Sequence, residues 1–321
     1  MSAGRRWAAW LGARLPLRTL GRGLRAAVFV GILAYLVREV WLLGFKAMAA
    51  DMPASPWFYV LFFIRYFVFT LFEILIYQGL FSRPLWHAWP VFLRKRVLNF
   101  SVLEYSGEAY FYYWARRESG ESGPPAFALI KDVNILSSLA SIIVTFALLG
   151  AAAASGRLSE SLGATPALET GLAWAALLGG ALVLAFLAFR RQILWMGRPA
   201  ALRTFGLHSA RLVTTTSLQA AQWSVALPFV PLTTWLGFLA LYMALTRLPF
   251  LPGKDLVFVT ASVALAGSVA APETAVAAMF FMGGVLMQGT NLVLFALTGM
   301  ARTPSRRGAP GSVDQDPPRK G

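Results

Sequence analysis

Apolar runs long enough to cross a membrane alternate with short polar breaks along almost the whole chain. A helix needs about 20 largely apolar residues to traverse a hydrocarbon core. Runs of that kind occupy 26–45, 57–80, 127–153, 168–189, 229–247 and 274–300, with shorter and weaker ones at 209–228 and 256–271. The pattern predicts an all-α polytopic membrane protein with about eight transmembrane helices, 256–271 being the least regular. Residues 97–115, VLNFSVLEYSGEAYFYYWA, break the pattern. They are aromatic and apolar enough to enter a bilayer, yet they carry Glu104, Gly107 and Glu108 and end at Arg116 and Arg117. An ionisable residue at membrane depth costs about 2.5–3.5 kcal/mol on insertion scales and normally faces a bundle interior or a watery cavity.

Charge orients the spans. Residues 1–25 hold six arginines and no acid, 81–96 hold Arg83, Arg94, Lys95 and Arg96, and 190–211 hold Arg190, Arg191, Arg198, Arg203 and Arg211. Loops 46–56, 154–167 and 272–273 carry few basic residues. Basic loops stay on the cytoplasmic side, so both termini are expected there, in a multi-pass protein of the cell inner membrane. If 97–115 crossed, every later loop would change sides and Arg190–Arg211 would face outward. The segment is therefore expected to be re-entrant, dipping in from the cytoplasmic face and returning near Arg116, with Gly107 as its turning point because glycine reaches backbone angles other residues avoid.

Composition agrees with this picture. Apolar residues make up 57% of the chain and charged residues 13%, against roughly a quarter charged in a soluble domain. The formal net charge of +15 lies mainly between apolar runs, which points to anionic lipid rather than nucleic acid. Arg14, Arg18, Arg22 and Arg25 fall close to one helical face with Trp7, Trp10 and Leu11 as apolar anchors, so 1–25 is expected to be an amphipathic helix on an anionic leaflet. Residues 26–300 then form one transmembrane domain. The Pro-, Gly- and Ser-rich residues 301–321 are expected to be a disordered cytoplasmic tail. The chain has no cysteine, and neither a phosphate-cradling glycine loop nor a histidine-rich metal spacing occurs, so no cofactor or metal is expected. His87 and His208 stand alone and read as interfacial histidines.

Several polar groups inside apolar runs are candidates for a site. Glu104 and Glu108 share a face if the local backbone is helical. Lys131 and Asp132 open the run 127–153 and lie near the re-entrant turn by topology, where Lys131 can neutralise either glutamate. Arg65 and Glu73 within 57–80, and Arg38 and Glu39 within 26–45, each need a partner. Gln219 with Gln222, and Gln288 with Asn291, suit interhelical hydrogen bonds. Proline-marked breaks fall at Leu227–Pro231 and at 245–258, LTRLPFLPGKDLVF, which holds Pro249, Pro252, Gly253 and Lys254. Interrupted helices in matching halves point to a transporter site.

Two of these runs carry a family resemblance. Asn99–Arg117, with Ser106-Gly107-Glu108, resembles the polar Gly-Glu turn of the integral membrane domain of the lysylphosphatidylglycerol synthase/flippase family and its stand-alone relatives. Leu248–Gly284, with Pro249, Pro252 and Gly253, resembles that family's Pro-x-x-Pro-Gly turn before an apolar helix. Lys254-Asp255 stands where the family has Gly-x-Gly, and Lys131-Asp132 only loosely replaces its Arg and Asp. The resemblance implies translocation of a lipid or lipid-linked substrate between leaflets. The headgroup would be held by Glu104, Gly107, Glu108, Lys131, Asp132, Pro249, Pro252, Gly253 and Lys254, without covalent chemistry. No sizeable soluble domain follows Arg302, so aminoacyl transfer is not expected. The competing expectations are a membrane enzyme acting on a lipid or polyprenyl phosphate, and a scaffold for an envelope complex.

Overall fold

A computed structural model describes residues 50–81, 84–101, 105–119, 126–154, 166–247, 262 and 271–300. The interfacial segment 1–25, the run 26–45 with Arg38 and Glu39, almost all of 256–271 and the tail 301–321 lie outside the described residues. So do Glu104, Pro249, Pro252, Gly253 and Lys254.

Eight α-helices account for nearly all of what is described: α1 (Pro56–Gln78), α2 (Trp89–Ser101), α3 (Ser106–Ser119), α4 (Ala126–Ala154), α5 (Pro166–Ile193), α6 (Arg198–Ala226), α7 (Leu232–Arg247) and α8 (Glu273–Met300). Among the described residues there is no strand. Helices α1, α4 and α8 are long and apolar enough to cross a membrane. Proline marks the starts. Pro56 and Pro199 occupy the first turns of α1 and α6, where a missing N–H is not needed and the fixed φ suits the helix.

Helix α6 is the axis of the bundle and packs against α1, α4 and α7. It runs antiparallel to α1: Arg203 lies by Gly79, Arg211 by Glu73, and Trp223 shares a core with Phe58. Four of its polar residues, Thr204, His208, Arg211 and Gln222, are buried. That explains why its apolar content is low over the same depth as α1. A helix at the centre of a bundle meets other helices rather than lipid, so pairing replaces hydropathy. The break at Leu227–Pro231 is a tight turn joining α6 to α7, closed by Val230 N–H to Leu227 C=O at 3.1 Å. Leu227 and Val230 are buried in the core. The sequence suggested an interrupted helix here; across the turn the two helices share a core, the rings of Trp223 and Trp235 lying 5.7 Å apart.

Two apolar cores sit at opposite ends of α1. One gathers Phe58, Trp223, Trp235, Phe238, Met279 and Phe280 from α1, α6, α7 and α8. The other gathers Tyr77, Leu85, Phe92, Phe111, Val133 and Met196 around α2 and α3. Outside them, large apolar side chains face outward, including Phe63, Ile64 and Phe67 on α1 and Trp174, Leu178, Leu184 and Phe189 on α5. A water-soluble protein rarely leaves so much apolar surface uncovered.

Candidate functional site

Helices α2 and α3 form the hairpin that the anomalous segment foreshadowed, but with earlier limits. Its descending arm starts at Trp89 rather than near residue 97. At 13 and 14 residues, each arm is about 20 Å long at the α-helical rise, short of a full crossing. Contacts along α1 fix the direction. Lys95 of α2 meets Glu73, and Arg96 reaches Tyr66 near the middle of α1. On the way back Phe111 packs on Tyr77 with ring centroids 4.5 Å apart, and Trp114 packs on Phe81 at 6.1 Å. The chain therefore leaves the hairpin at the end of α1 where it entered.

Gly107 serves this hairpin differently from its expected role. Among the described residues between α2 and α3, Tyr105 stands at φ 70°, in the left-handed region uncommon for bulky side chains. Gly107 lies in the first turn of α3, where a Cβ would sit 2.0 Å from the Lys95 carbonyl oxygen and 2.6 Å from Asn99 Oδ1. Its requirement is close approach. The Gly107 N–H donates to Asn99 Oδ1 at 2.7 Å, and the Ser106 hydroxyl donates to the Leu98 carbonyl at 2.8 Å, satisfying donors that a helix start would otherwise leave bare.

A buried charge cluster joins the hairpin to the bundle. Glu73 of α1 accepts from Lys95 Nζ at 2.5 Å on one oxygen and from Arg211 on the other. Arg211 also donates to the Ser137 hydroxyl of α4 at 3.2 Å and lies 4.5 Å from the Phe69 ring. Lys95 has a second carboxylate, Glu108, at 3.8 Å, and the rings of Tyr77 and Phe111 at 5.0 and 5.3 Å. The four charged groups sum to zero: two carboxylates, one ammonium and one guanidinium. Arg96, which adjoins them, donates to the Tyr66 carbonyl at 2.7 Å and is stacked on the rings of Tyr66 and Phe69 at 3.9 and 4.3 Å. Partners of this kind let cations sit in a low-dielectric interior.

The cluster revises several expectations. Lys95 and Arg96, counted as charges of a cytoplasmic loop, are buried in α2, and Arg211 is buried in α6. Their exposure is low because each has a fixed anionic or aromatic partner. Glu73 pairs with Lys95 and Arg211, not with Arg65. Glu108 pairs with Lys95, not with Lys131. Lys131 instead donates to the Ile193 carbonyl at the end of α5, at 2.5 Å, and contacts its neighbour Asp132 at 3.2 Å. Fully buried Asp132 accepts from the N–H groups of Trp195 and Met196, both at 2.7 Å. The two residues clamp the α5–α6 connection and stand apart from the glutamate cluster. His208, expected at an interface, is buried on α6 one turn from Arg211.

Beside the first half of α1 lies a small cavity between α1, α6, α7 and α8, of about 90 Å³. Arg65, Gln219, Gln222 and Gln288 bring polar groups to it, and Trp223 and Met287 are among its apolar walls. Gln219 Nε2 and Gln222 Oε1 stand 3.5 Å apart, too far for a strong hydrogen bond. This pair lies on one helix instead of bridging two. Asn291 does bridge, accepting from the Tyr66 hydroxyl at 2.7 Å. The sequence offered Arg65 and the glutamines as internal structural pairs; only the fold brings them to one space. Among the described residues, no group of histidine and carboxylate side chains is arranged to hold a metal ion.

No protein-family model, no curated protein and no solved structure matches the chain.

Proposed function

We propose that this protein moves a lipid or lipid-linked molecule between the leaflets of a membrane, in the manner of the flippase-like membrane domains that its Ser106-Gly107-Glu108 turn resembles. In this reading the chain crosses the inner membrane about eight times with both termini cytoplasmic, and α2–α3 is its re-entrant element. The observation that carries the reading is the cavity beside α1. It is a space between α1, α6, α7 and α8 whose lining combines Trp223 and Met287 with Arg65, Gln219, Gln222 and Gln288. An amphiphile needs both kinds of wall: donors for a polar head and apolar surface for its chains.

The test is reconstitution of the purified chain in vesicles carrying a headgroup-labelled lipid in both leaflets, with a membrane-impermeant quencher outside. Protein-dependent loss of the protected fraction is expected. Transfer no faster than in empty vesicles, with the protein correctly inserted, would remove the proposal. Orientation is tested by reporter fusions after Gly197 and near Glu160, expected on opposite sides with Gly197 cytoplasmic. The exposed arginines Arg190, Arg191, Arg198 and Arg203 support that orientation better than residues 81–96, whose Lys95 and Arg96 are paired inside.

One observation favours a second reading, a scaffold within an envelope complex. The cluster of Glu73, Glu108, Lys95 and Arg211 is mutually neutralised, as a purely architectural joint would be. The vesicle assay separates the two, since a scaffold gives no transfer.

A further inference from the structure

We infer that the cavity between α1, α6, α7 and α8 is a binding site for water, holding a small cluster of waters inside the bundle. The site stands apart from translocation, since it concerns what occupies this space whether or not the chain moves a lipid. Size sets the class of occupant. At about 90 Å³ the space falls short of the roughly 150 Å³ at which an apolar cavity takes up a benzene-sized guest, and it has room for about three waters at roughly 30 Å³ each.

The lining supplies the hydrogen bonds. Gln222 is only 1% exposed. Its amide oxygen faces the Gln219 nitrogen at 3.5 Å, the outer limit of a hydrogen bond, and its own N–H donors have no hydrogen-bond partner among the described residues. Gln288, which lines the same space from α8, has none either. Each glutamine side chain offers two N–H donors and an acceptor oxygen. Buried amides are normally paired with protein or with ordered water, and a buried water in turn needs two to four polar partners. Gln219, Gln222 and Gln288 provide such partners from two helices. Arg65 borders the space from a third while keeping its own contacts, among them the Phe62 ring at 5.8 Å. Gly283 and Gly284 of α8 also line the cavity, and a Cβ added to either would meet nothing within 4 Å. The apolar part of the lining carries a natural reporter, Met279. It is 1% exposed, less than Met243 at 5%, which lies outside the lining.

The test is X-ray radiolysis of the full chain in lipid nanodiscs, with a radical scavenger in the bulk and mass spectrometry of each methionine. Hydroxyl radicals made from held water oxidise the side chain beside them, and methionine records this as its sulfoxide. Met279 is expected to oxidise several-fold faster than Met243, the reverse of their order of exposure. Gln222→Leu is expected to slow Met279 several-fold, because it removes the most deeply buried of the waters' partners. Gly284→Leu is expected to do the same by filling the space. A Met279 rate no higher than that of Met243 in the unaltered chain overturns the proposal. So does an unchanged Met279 rate in folded Gln222→Leu, since the radicals then come from elsewhere. If Gln222→Leu does not fold, Gly284→Leu decides in its place, and an unchanged rate there overturns the site. The two readings fail separately: absence of lipid transfer leaves the waters standing, and a slow Met279 leaves translocation standing.

Discussion

The two ends of α1 treat charge in opposite ways. Around Glu73, four charged side chains from four helices compensate one another, with aromatic rings beside them. Around Arg65, polar side chains border open space. The contrast separates two reasons for putting polar atoms among apolar helices. A charge-compensated cluster fixes how helices join, because Lys95 and Arg211 would be costly without the Glu73 carboxylate. Polar side chains that border a cavity can also meet something that comes and goes. Of the glutamates conspicuous in the sequence, Glu73 and Glu108 belong to the first kind, and the inconspicuous glutamines belong to the second.

Breaking the cluster is the most severe test of that contrast. Glu73→Ala leaves Lys95 and Arg211 buried without their shared carboxylate, and breaking a buried pair in this way costs about 3–5 kcal/mol. A large drop in the thermal unfolding temperature in detergent is expected, or failure to accumulate. A mild effect would mean that the cluster is hydrated. Asp132→Ala comes next. It removes an acceptor shared by two N–H groups at the α5–α6 connection, and hydrogen bonds to a charged group contribute about 1.5–3 kcal/mol each. Stability should fall, while lipid transfer per folded molecule should not, since this clamp lies apart from the cavity. Gly107→Ala should lower stability by about 1–3 kcal/mol, as overpacking does, because α3 must move off the Lys95 carbonyl. The smallest effect is expected for Glu108→Gln, under about 1 kcal/mol, since Lys95 keeps Glu73. Transfer activity should survive in Glu108→Gln and disappear in Arg65→Gln. The reverse ranking in the vesicle assay would return the site to the hairpin.

Much of the helical layout was legible in the sequence because long apolar runs with proline at their starts have few alternatives. The runs 57–80, 127–153 and 274–300 reappear within a few residues as α1, α4 and α8. The hairpin was legible as an anomaly, through Glu108 and Gly107 in an apolar setting, but not in its limits. Arg94, Lys95 and Arg96 look like loop charges until the Glu73 carboxylate and the rings of Tyr66 and Tyr77 are brought to them by the fold. The partner of Glu108 was misjudged for the same reason: Lys131 is close in topology, but the α5 terminus takes its ammonium. Nothing local in Gln222 or Gly284 marks them as neighbours of Arg65, because that proximity exists only once α1, α6 and α8 have packed.

The joint at Glu73 also bears on how the chain is made. Glu73 is made first, with Lys95 soon after, whereas Arg211 is added only when about half of α6 has been translated. Until then half of the counter-charge is missing, and the hairpin has no finished seat against α6 and α4. Completion of the N-terminal half therefore waits on the arrival of α6. A ribosome stalled before residue 211 should hold α2 and α3 open to protease, and one stalled beyond α7 should not.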